Sequence, residues 1–495
     1  MDLVIRGATV YDGTGGPARV CDVGVTGGRI AAVGDLGSEL SGRSVDAAGL
    51  ALAPGFIDVH SHDDFAVFVM PEMDFKVAQG VTTTVVGNCG LGVAPFAAAR
   101  AYLGFFGVDA QRGASLPTWD DYAGYLDAVD ADPPSLNVAV LVGHGTLRLD
   151  AMGNDRRGAT DYELASMADT LAAGLDAGCV GYSTGLIYEP GRYSSTEELI
   201  ALARVMAGNG GGVYATHMRD EGIGLLGAVA EAISIGEEGG VPVQISHHKA
   251  SGRSAWGLVS QSLVLIDAAR ARGVDVTADQ YPYTAGSTSL FAVVQNADDG
   301  SEGVGETDWG AIVIASAPHH PEWEGESVVA LARQFGRSPA QAAKAVVDAE
   351  GYGAVVIIHS MIDVDVRTVM AHPTTMIGSD GIPTVAGKPH PRLYGTFAKV
   401  LGHYARDEHV LSIEQAVHRA SGMPAAKFGF ADRGVIAAGA WADLVLFDPL
   451  VINDVATYDD PRRYPTGLRT VWVGGTAVMR DGRHTGERPG RTVRR

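Results

Sequence analysis

The sequence predicts an α/β protein built on a (β/α)8 barrel, with a small β-sandwich assembled from both ends of the chain. Two features indicate this fold. From residue 56 onward, short apolar segments alternate with amphipathic segments of helical length, which is typical of βα units around a parallel sheet. Near both ends, the chain instead alternates polar and apolar residues and turns on glycine pairs, which favours antiparallel hairpins.

The segments at the two ends share this alternation of polar and apolar residues and these glycine turns. LVIRGATVYD and ARVCDVGVTGGRIAAVG lie near the N-terminus, and RGVIAAGAWADLVLFDP and LRTVWVGGTAVMRDG lie near the C-terminus. We therefore predict that residues 1–55 and 430–495 meet in one small β-sandwich domain. Residues 56–429 are predicted to form the barrel.

About eight apolar segments qualify as barrel strands. The first ends in HSH, and the others are contained in GVTTTVVGN, NVAVLVG, GCVGYSTG, VYATHM, VPVQISH, VDVTADQYP and TTMIGSD. Eight parallel strands are the number that closes such a barrel. Between them, STEELIALARVMAGNGG reads as a helix capped by Ser195 or Thr196.

One stretch does not fit a βα unit. Residues 288–350 contain the polar loop NADDGSEGVGETDWG and the helical segment SVVALARQFG, and no strand there ends in a reactive side chain. We predict an insertion that partly covers the barrel mouth.

Composition excludes several classes of partner. The net charge of −21 opposes binding to nucleic acid or to an anionic membrane surface, and it repels anionic substrates at long range. We see no signal peptide and no apolar run long enough to span a membrane. The three cysteines, Cys21, Cys89 and Cys179, are far apart and form no disulfide pattern. A cytoplasmic location is therefore expected.

Metal-ligating residue types recur where the predicted strands end. Because the carboxyl ends of barrel strands converge on one site, their side chains are expected to meet, and His, Cys and Asp are ligands that zinc selects. The residues at these positions are His60, His62, Cys89, His217, His247 and Asp380.

Taken singly, each of these residues has another interpretation. His60 and His62 fit a strand that runs into a polar loop, and Cys89 fits a small buried apolar group. His217 fits a core histidine, and Asp380 fits a loop cap. Their shared location favours a metal site. His248 is expected on the opposite face of its strand.

A resemblance to a known family rests on PGFIDVHSHDD, GVTTTVVGNCG, STGLIYEPGRYSSTEEL, YATHMRDEG, VQISHHKASG, DQYPYTAGST, IGSDG, HPRLYGTF and GVIAAGAWADLVLFD. These motifs span nearly the whole chain. They resemble the D-aminoacylases, or N-acyl-D-amino-acid deacylases, of the amidohydrolase superfamily. In this family a cysteine, here Cys89, replaces the bridging carbamylated lysine of many relatives.

The resemblance implies a zinc-dependent hydrolase that splits an N-acyl-D-amino acid into a carboxylate and a free D-amino acid. It implies a tight zinc on Cys89, His217 and His247, and a second, weaker zinc on His60, His62 and the shared sulfur. Asp380 would act as the catalytic base and then as the acid. The D configuration follows from the resemblance alone.

The same resemblance suggests the substrate contacts. Arg392 would bind the α-carboxylate, although an arginine in a loop is otherwise usually solvated. Assisting residues would be Lys249, Tyr281, Tyr283 and Ser287, with Tyr188 as a pocket wall; each of these also suits plain packing. Between Leu290 and Trp309 there is no Arg, Lys or His, so we expect neutral or apolar substrate side chains.

Two alternatives stay open at this point. One is another amidohydrolase activity, such as a D-dipeptidase or a cyclic-amide hydrolase. The other is a non-catalytic scaffold, which the retained ligand set disfavours. The only partner expected is a small N-acylated amino acid, and the sequence is silent on the acyl group and on the oligomeric state.

Overall fold

The computed structural model describes residues 1–37, 42–298 and 307–495. At its centre is a sheet of eight parallel strands, each paired with the next along the chain. The strands are Phe56–Asp58, Val81–Val86, Asn137–Gly143, Gly181–Gly185, Val213–His217, Val243–Ile245, Val276–Gln280 and Thr375–Ile377. All eight coincide with the predicted segments, which confirms the barrel.

The barrel closes between its first and eighth strands, just beyond their carboxyl ends. Ser61 and Gly381 form a parallel bridge there. The amide of His62 donates to the carbonyl of Gly381 at 3.0 Å, and the amide of Asp380 donates to the carbonyl of His60 at 2.7 Å. The loops that carry predicted site residues are therefore also the loops that complete the cylinder.

Helices surround the barrel and begin at sequence-encoded caps. The helix Thr196–Gly208 starts at Ser195, whose side chain accepts from the Glu198 amide, so Ser195 is the cap. Asp161–Ala177 starts at a capping box of Thr160 and Glu163. Outside the predicted insertion, the other described helices of eight or more residues between the strands are Tyr122–Ala131, His144–Met152, Leu225–Gly239, Val259–Ala271 and Asp363–Ala371. After the last strand come Arg392–Lys399, which continues into the π-helix Val400–Asp407, and Ile413–Ala420.

The barrel interior is filled by apolar side chains that alternate along the strands, among them Ile57, Val85 and Leu141. Val493, near the C-terminal end of the chain, packs into the same cluster, and its amide donates to the carbonyl of Val138 at 2.8 Å. The chain end thus covers the amino-terminal side of the barrel. The carboxyl-terminal side is left for the polar residues.

The two ends of the chain meet, as predicted for the β-sandwich, and their strands form one nine-stranded sheet. Ala51–Pro54 pairs with Leu444–Phe447 and joins the two halves. The remaining strands are Leu3–Val10, Arg19–Thr26, Arg29–Gly34, Arg43–Asp46, Leu468–Val473, Thr476–Arg480 and Arg483–His484. The sheet encloses its own apolar cluster. At one hairpin turn, the carbonyl of Gly28 accepts a hydrogen bond from the amide of Ala442 at 2.9 Å. The proposed domain limits, 1–55 with 430–495 and 56–429, stay a prediction.

The segment predicted as an insertion, residues 288–350, belongs to a slightly larger unit with regular structure. Ile312–Ser316 lies within the predicted bounds, and it forms a three-stranded antiparallel sheet with Gly286–Ser289 and Val355–Ile358, which extend the unit beyond those bounds on both sides. The helices Leu290–Asp298, Val328–Phe335 and Pro339–Glu350 pack on it around a separate core. The strands were overlooked because each is only four or five residues long. Residues 299–306 of the predicted polar loop lie outside the described residues.

In the described ranges, every helix is too short or too polar to cross a membrane.

Candidate metal and catalytic site

Five potential metal ligands converge at the carboxyl ends of the barrel strands. His60 and His62 follow the first strand rather than lying on it, with ring centroids 5.7 Å apart. Cys89 lies in the loop after the second strand, His217 ends the fifth, and His247 follows the sixth. All five side chains are buried. The structure therefore brings together the whole predicted ligand set.

Cys89 is the centre of this group. Its Sγ lies 3.4 Å from Nε2 of His60, 3.8 Å from Nδ1 of His217 and 3.6 Å from Nε2 of His247. A tetrahedral zinc places sulfur at ~2.3 Å and nitrogen at ~2.1 Å, so such ligands lie about 3.6 Å from each other. Zinc fits the donor types and their spacing.

Asp380 lies at the edge of the same cluster. Its Oδ1 is 3.3 Å from Nε2 of His62 and 3.5 Å from Nε2 of His60. The ligand atoms of these three residues all lie within 4.8 Å of one another. His60, His62 and Asp380 could therefore hold a metal ion together.

Three site residues adopt left-handed backbone conformations. The φ angles of Cys89, His247 and Asp380 are 55°, 36° and 48°. Such angles are uncommon outside glycine and concentrate at functional sites, where the surrounding structure holds them. Each of these residues lies just beyond a strand, where the left-handed conformation changes the direction of the chain.

The charges around Asp380 keep it ionised. Burial alone would raise the pKa of this carboxyl, but the Arg392 guanidinium and the neighbouring histidines hold the pKa well below its usual range. Nη1 of Arg392 lies 2.9 Å from Oδ2 of Asp380. An ionised carboxylate at this position is ready to accept a proton.

Glu221 was not among the predicted site residues. It faces the ring nitrogens of His217 and His247 that point away from Cys89. Its Oε1 is 2.9 Å from Nδ1 of His247, and its Oε2 is 3.7 Å from Nε2 of His217. Its Oε1 also accepts from Nζ of Lys249 at 2.6 Å. A carboxylate behind a ligating histidine fixes the ring and its tautomer. The spacing of His217 and Glu221, four residues apart, was the available signal.

The two aspartates that follow the His60–His62 pair brace neighbouring loops. Oδ1 of Asp64 accepts from the amide of Gly87, at the base of the Cys89 loop, at 2.7 Å. Oδ2 of Asp63 accepts from the hydroxyl of Thr84 at 2.8 Å. Burial raises the pKa of both carboxyls. These residues position the ligands and do not join them.

The cluster opens into a cavity of about 1330 Å³. Tyr188, Lys249, Tyr281 and Ser287 line it together with Asp380, at the positions where substrate contacts were predicted. The insertion contributes to the same wall, and the hydroxyls of Tyr188 and Thr288 are hydrogen-bonded at 2.9 Å.

Arg392 and Tyr283 lie deeper than the cavity wall. The Arg392 side chain has an exposed fraction of 0%. Its Nη2 donates to the carbonyl of Ser287 at 3.1 Å, and its Cζ lies 4.4 Å from the ring centroid of Tyr281. The hydroxyl of Tyr283 points away, donating to Asp454 at 3.2 Å. The substrate roles assigned to these residues stay predictions.

His248 and His390 are structural neighbours of the site. Nε2 of His248 is 2.8 Å from the hydroxyl of Ser262, on the outer side of its strand. Nδ1 of His390 accepts from the amide of Arg392 at 3.0 Å, while Nε2 donates to the carbonyl of Ala285 at 2.9 Å. His390 therefore fixes the start of the helix that carries Arg392.

The chain is similar over its full length to known proteins. A model of the amidohydrolase family matches residues 43–479. The chain is 42% identical over 494 residues to a D-aminoacylase of Alcaligenes xylosoxydans xylosoxydans, covering 100% of this chain and 98% of the relative. It is also 42% identical over 501 residues to an N-acyl-D-glutamate deacylase of the same organism, covering 100% and 97%.

A solved structure agrees with these matches. The N-acyl-D-glutamate deacylase of Bordetella bronchiseptica, complexed with zinc and a phosphonate that mimics the tetrahedral reaction intermediate, superimposes with a TM-score of 0.91. It is 40% identical, with 100% of both chains covered. The eight-stranded barrel, the convergent histidines and cysteine, and these full-length similarities lead to one conclusion. The chain belongs to the amidohydrolase family.

Proposed function

We propose that this protein is a zinc-dependent N-acyl-D-amino-acid deacylase, which hydrolyses the amide bond to release a carboxylate and a free D-amino acid. The observation that carries the proposal is the grouping of one cysteine and three histidines within 3.8 Å of its sulfur, beside the ionised Asp380. The relatives at 42% identity act on D-configured substrates by name, and the proposed handedness rests on such similarities and not on the geometry of the site.

In this proposal Cys89, His217 and His247 hold zinc tightly, and His60 and His62 hold a second, weaker zinc with the shared sulfur. Zinc bound there would polarise the amide carbonyl and lower the pKa of a bound water. The Glu221 carboxylate faces Nδ1 of His247. It would therefore favour the tautomer with the proton on Nδ1, which leaves the lone pair of Nε2 for zinc.

Asp380 performs the proton transfers. It accepts one proton from the attacking water and delivers it to the departing amide nitrogen, so the amine leaves uncharged and the acyl carbon keeps the water oxygen. The Arg392 guanidinium keeps Asp380 in the ionised form, which is the form that can accept this proton. Amide hydrolysis needs both transfers, and one positioned carboxylate can serve both.

The substrate carboxylate needs a local positive charge because the net charge of −21 repels it at long range. Arg392 and Lys249 supply that charge, with Cζ of Arg392 4.4 Å and Nζ of Lys249 5.8 Å from the ring centroid of Tyr281. Within the described ranges, Nε of Arg392 has no hydrogen-bond partner, so a donor of its fork is available. Ser287 and Tyr281 would complete this pocket, Tyr188 would form its wall, and Tyr283 would support it from behind.

Neutral or apolar side chains are the proposed preference. No cationic residue lies between Leu290 and Trp309, and Ala292, Val293 and Ile312 contribute apolar surface to the cavity. The similarity to a glutamate deacylase makes an acidic side chain the alternative to be measured. A cytoplasmic location, expected from the cysteine pattern, belongs to the same proposal.

One substrate screen tests the proposed function. Purified protein, with its zinc content determined, is assayed on N-acetyl-D-methionine, its L form, N-acetyl-D-glutamate, a D-dipeptide and a hydantoin. The expected result is turnover of the acetylated D-amino acids, with methionine preferred. Preferred turnover of the dipeptide or the hydantoin would replace the proposal with one of those activities, and a zinc-free, inert protein would favour a scaffold.

A further inference from the structure

A lysine lies fully buried beneath the metal and catalytic site. The side chain of Lys76, in the short helix Asp74–Val77, has an exposed fraction of 0%. Its Nζ lies 2.5 Å from Oδ2 of Asp58 and 3.3 Å from Oδ2 of Asp63, and it donates to the hydroxyl of Ser379 at 2.8 Å. All three protons of this ammonium group therefore have partners.

These partners lie on the two chain segments that close the barrel. Asp58 is the last residue of the first strand, and Asp63 follows the His60–His62 pair. Ser379 follows the eighth strand and directly precedes Asp380. Lys76 thus links the segment that carries His60 and His62 to the loop that carries Asp380.

Ser379 transmits this link to Asp380. Its amide donates to Oδ1 of Asp58 at 2.8 Å, and its hydroxyl donates to Oδ2 of the same carboxylate at 2.6 Å. The same hydroxyl accepts from the amide of Gly381 at 3.0 Å. The residues on both sides of Asp380 are therefore tied to one buried ion pair, which holds Asp380 in its left-handed conformation at a φ of 48°.

Stability alone is a weak explanation for this arrangement. Removing charges from water is costly, and apolar residues of similar volume often serve a core equally well or better. The network instead fixes the position and orientation of the Asp380 carboxylate relative to the imidazoles of His60 and His62. Geometry at a reacting centre is sensitive to displacements of about 1 Å.

We propose that Lys76 is a positioning residue for the hydrolytic reaction, which acts on Asp380 through Ser379 without touching substrate. This inference rests on the proposed function for its kinetic consequences. It also has a consequence for metal binding, because Asp380, His60 and His62 together surround the second metal position.

Kinetics of Ser379→Ala test the link with little loss of volume. Its matched control is Ser421→Ala, which removes an equally buried hydroxyl that donates to the Val417 carbonyl far from the site. We expect kcat of S379A to fall about 10–100-fold while KM changes by less than about threefold. S421A is expected to lower thermal stability similarly and to keep kcat. Equal kcat values for the two variants would overturn the proposal.

Lys76→Met removes the ammonium group itself, with Lys344→Met as control, because the Lys344 side chain is 63% exposed. Folded K76M is expected to reproduce the loss of kcat seen in S379A, and the two effects are expected not to add, since both act through one link. If K76M does not fold, S379A decides alone. A folded K76M with the kcat of K344M would overturn the proposal.

Metal binding gives a readout that does not depend on turnover. Zinc is titrated into metal-free S379A and S421A in competition with a chromophoric chelator. We expect S379A to bind the first zinc normally and the second about tenfold or more weakly. Unchanged binding of both ions would contradict the inference even if wild-type protein hydrolysed none of the screened substrates, an outcome that would remove only the proposed function.

Discussion

Replacing Arg392 by lysine separates the two contributions assigned to this side chain. The guanidinium faces Asp380 through Nη1 at 2.9 Å and the Ser287 carbonyl through Nη2 at 3.1 Å. A lysine ammonium keeps the positive charge but cannot reach both groups and a substrate carboxylate in one plane. R392K therefore loses either the ion pair with Asp380 or the proposed hydrogen bond to the substrate carboxylate.

The size of the effect follows from that loss. A hydrogen bond to a charged group contributes about 1.5–3 kcal/mol, which corresponds to a fall in kcat/KM of about 10–150-fold. If Arg392 mainly binds the substrate carboxylate, the loss appears as a raised KM. If it mainly holds Asp380, the loss appears in kcat, because the contact then matters only during proton transfer.

The assay is steady-state hydrolysis of N-acetyl-D-methionine by wild-type protein, R392K and the control Arg204→Lys, whose side chain is 62% exposed. R204K is expected to match wild type. A kcat/KM of R392K equal to that of R204K would refute the reasoning, since it would mean that the substrate carboxylate binds elsewhere and that Asp380 needs no guanidinium.

Three further predictions follow from the site and its surroundings. Asp380→Asn is expected to lower kcat by about 10²–10⁴-fold while elemental analysis finds zinc retained, because the variant loses a general base and not a ligand of the tight site; turnover close to wild type would remove Asp380 from its role. Dialysis against a chelator is expected to abolish hydrolysis, and added zinc to restore it, whereas full activity of metal-free protein would contradict the zinc assignment. Glu198, despite its burial, has a pKa lowered to about 2 by His144 and the Arg148 guanidinium. This stabilisation is present at neutral pH and is lost as the pH falls from about 4.5 to about 2, so wild type should lose up to about 3 kcal/mol relative to Glu198→Gln in this window. Urea unfolding of both proteins at several pH values measures it, and parallel stability curves would contradict it.

The sequence determined the barrel and the identity of its reactive residues. Apolar runs of strand length recur eight times between amphipathic helices, and this periodicity is local, so it is visible without coordinates. His60, Cys89 and Asp380 follow such runs, and the parallel arrangement requires their ends to meet. For that reason, residue type and position along the chain were sufficient to group them.

Tertiary structure decided the contacts that depend on loops meeting across the barrel. Nothing near Lys76 marks it as a partner of Ser379, which is 303 residues away. The contact between Arg392 and Asp380 likewise depends on how the loop between them folds. Glu221 shows the same limit in part, because its contact with His217 lies four residues away whereas its contact with His247 joins two different loops. A periodic pattern reports which face of an element is buried, whereas a buried charge is explained only by the distant group that compensates it.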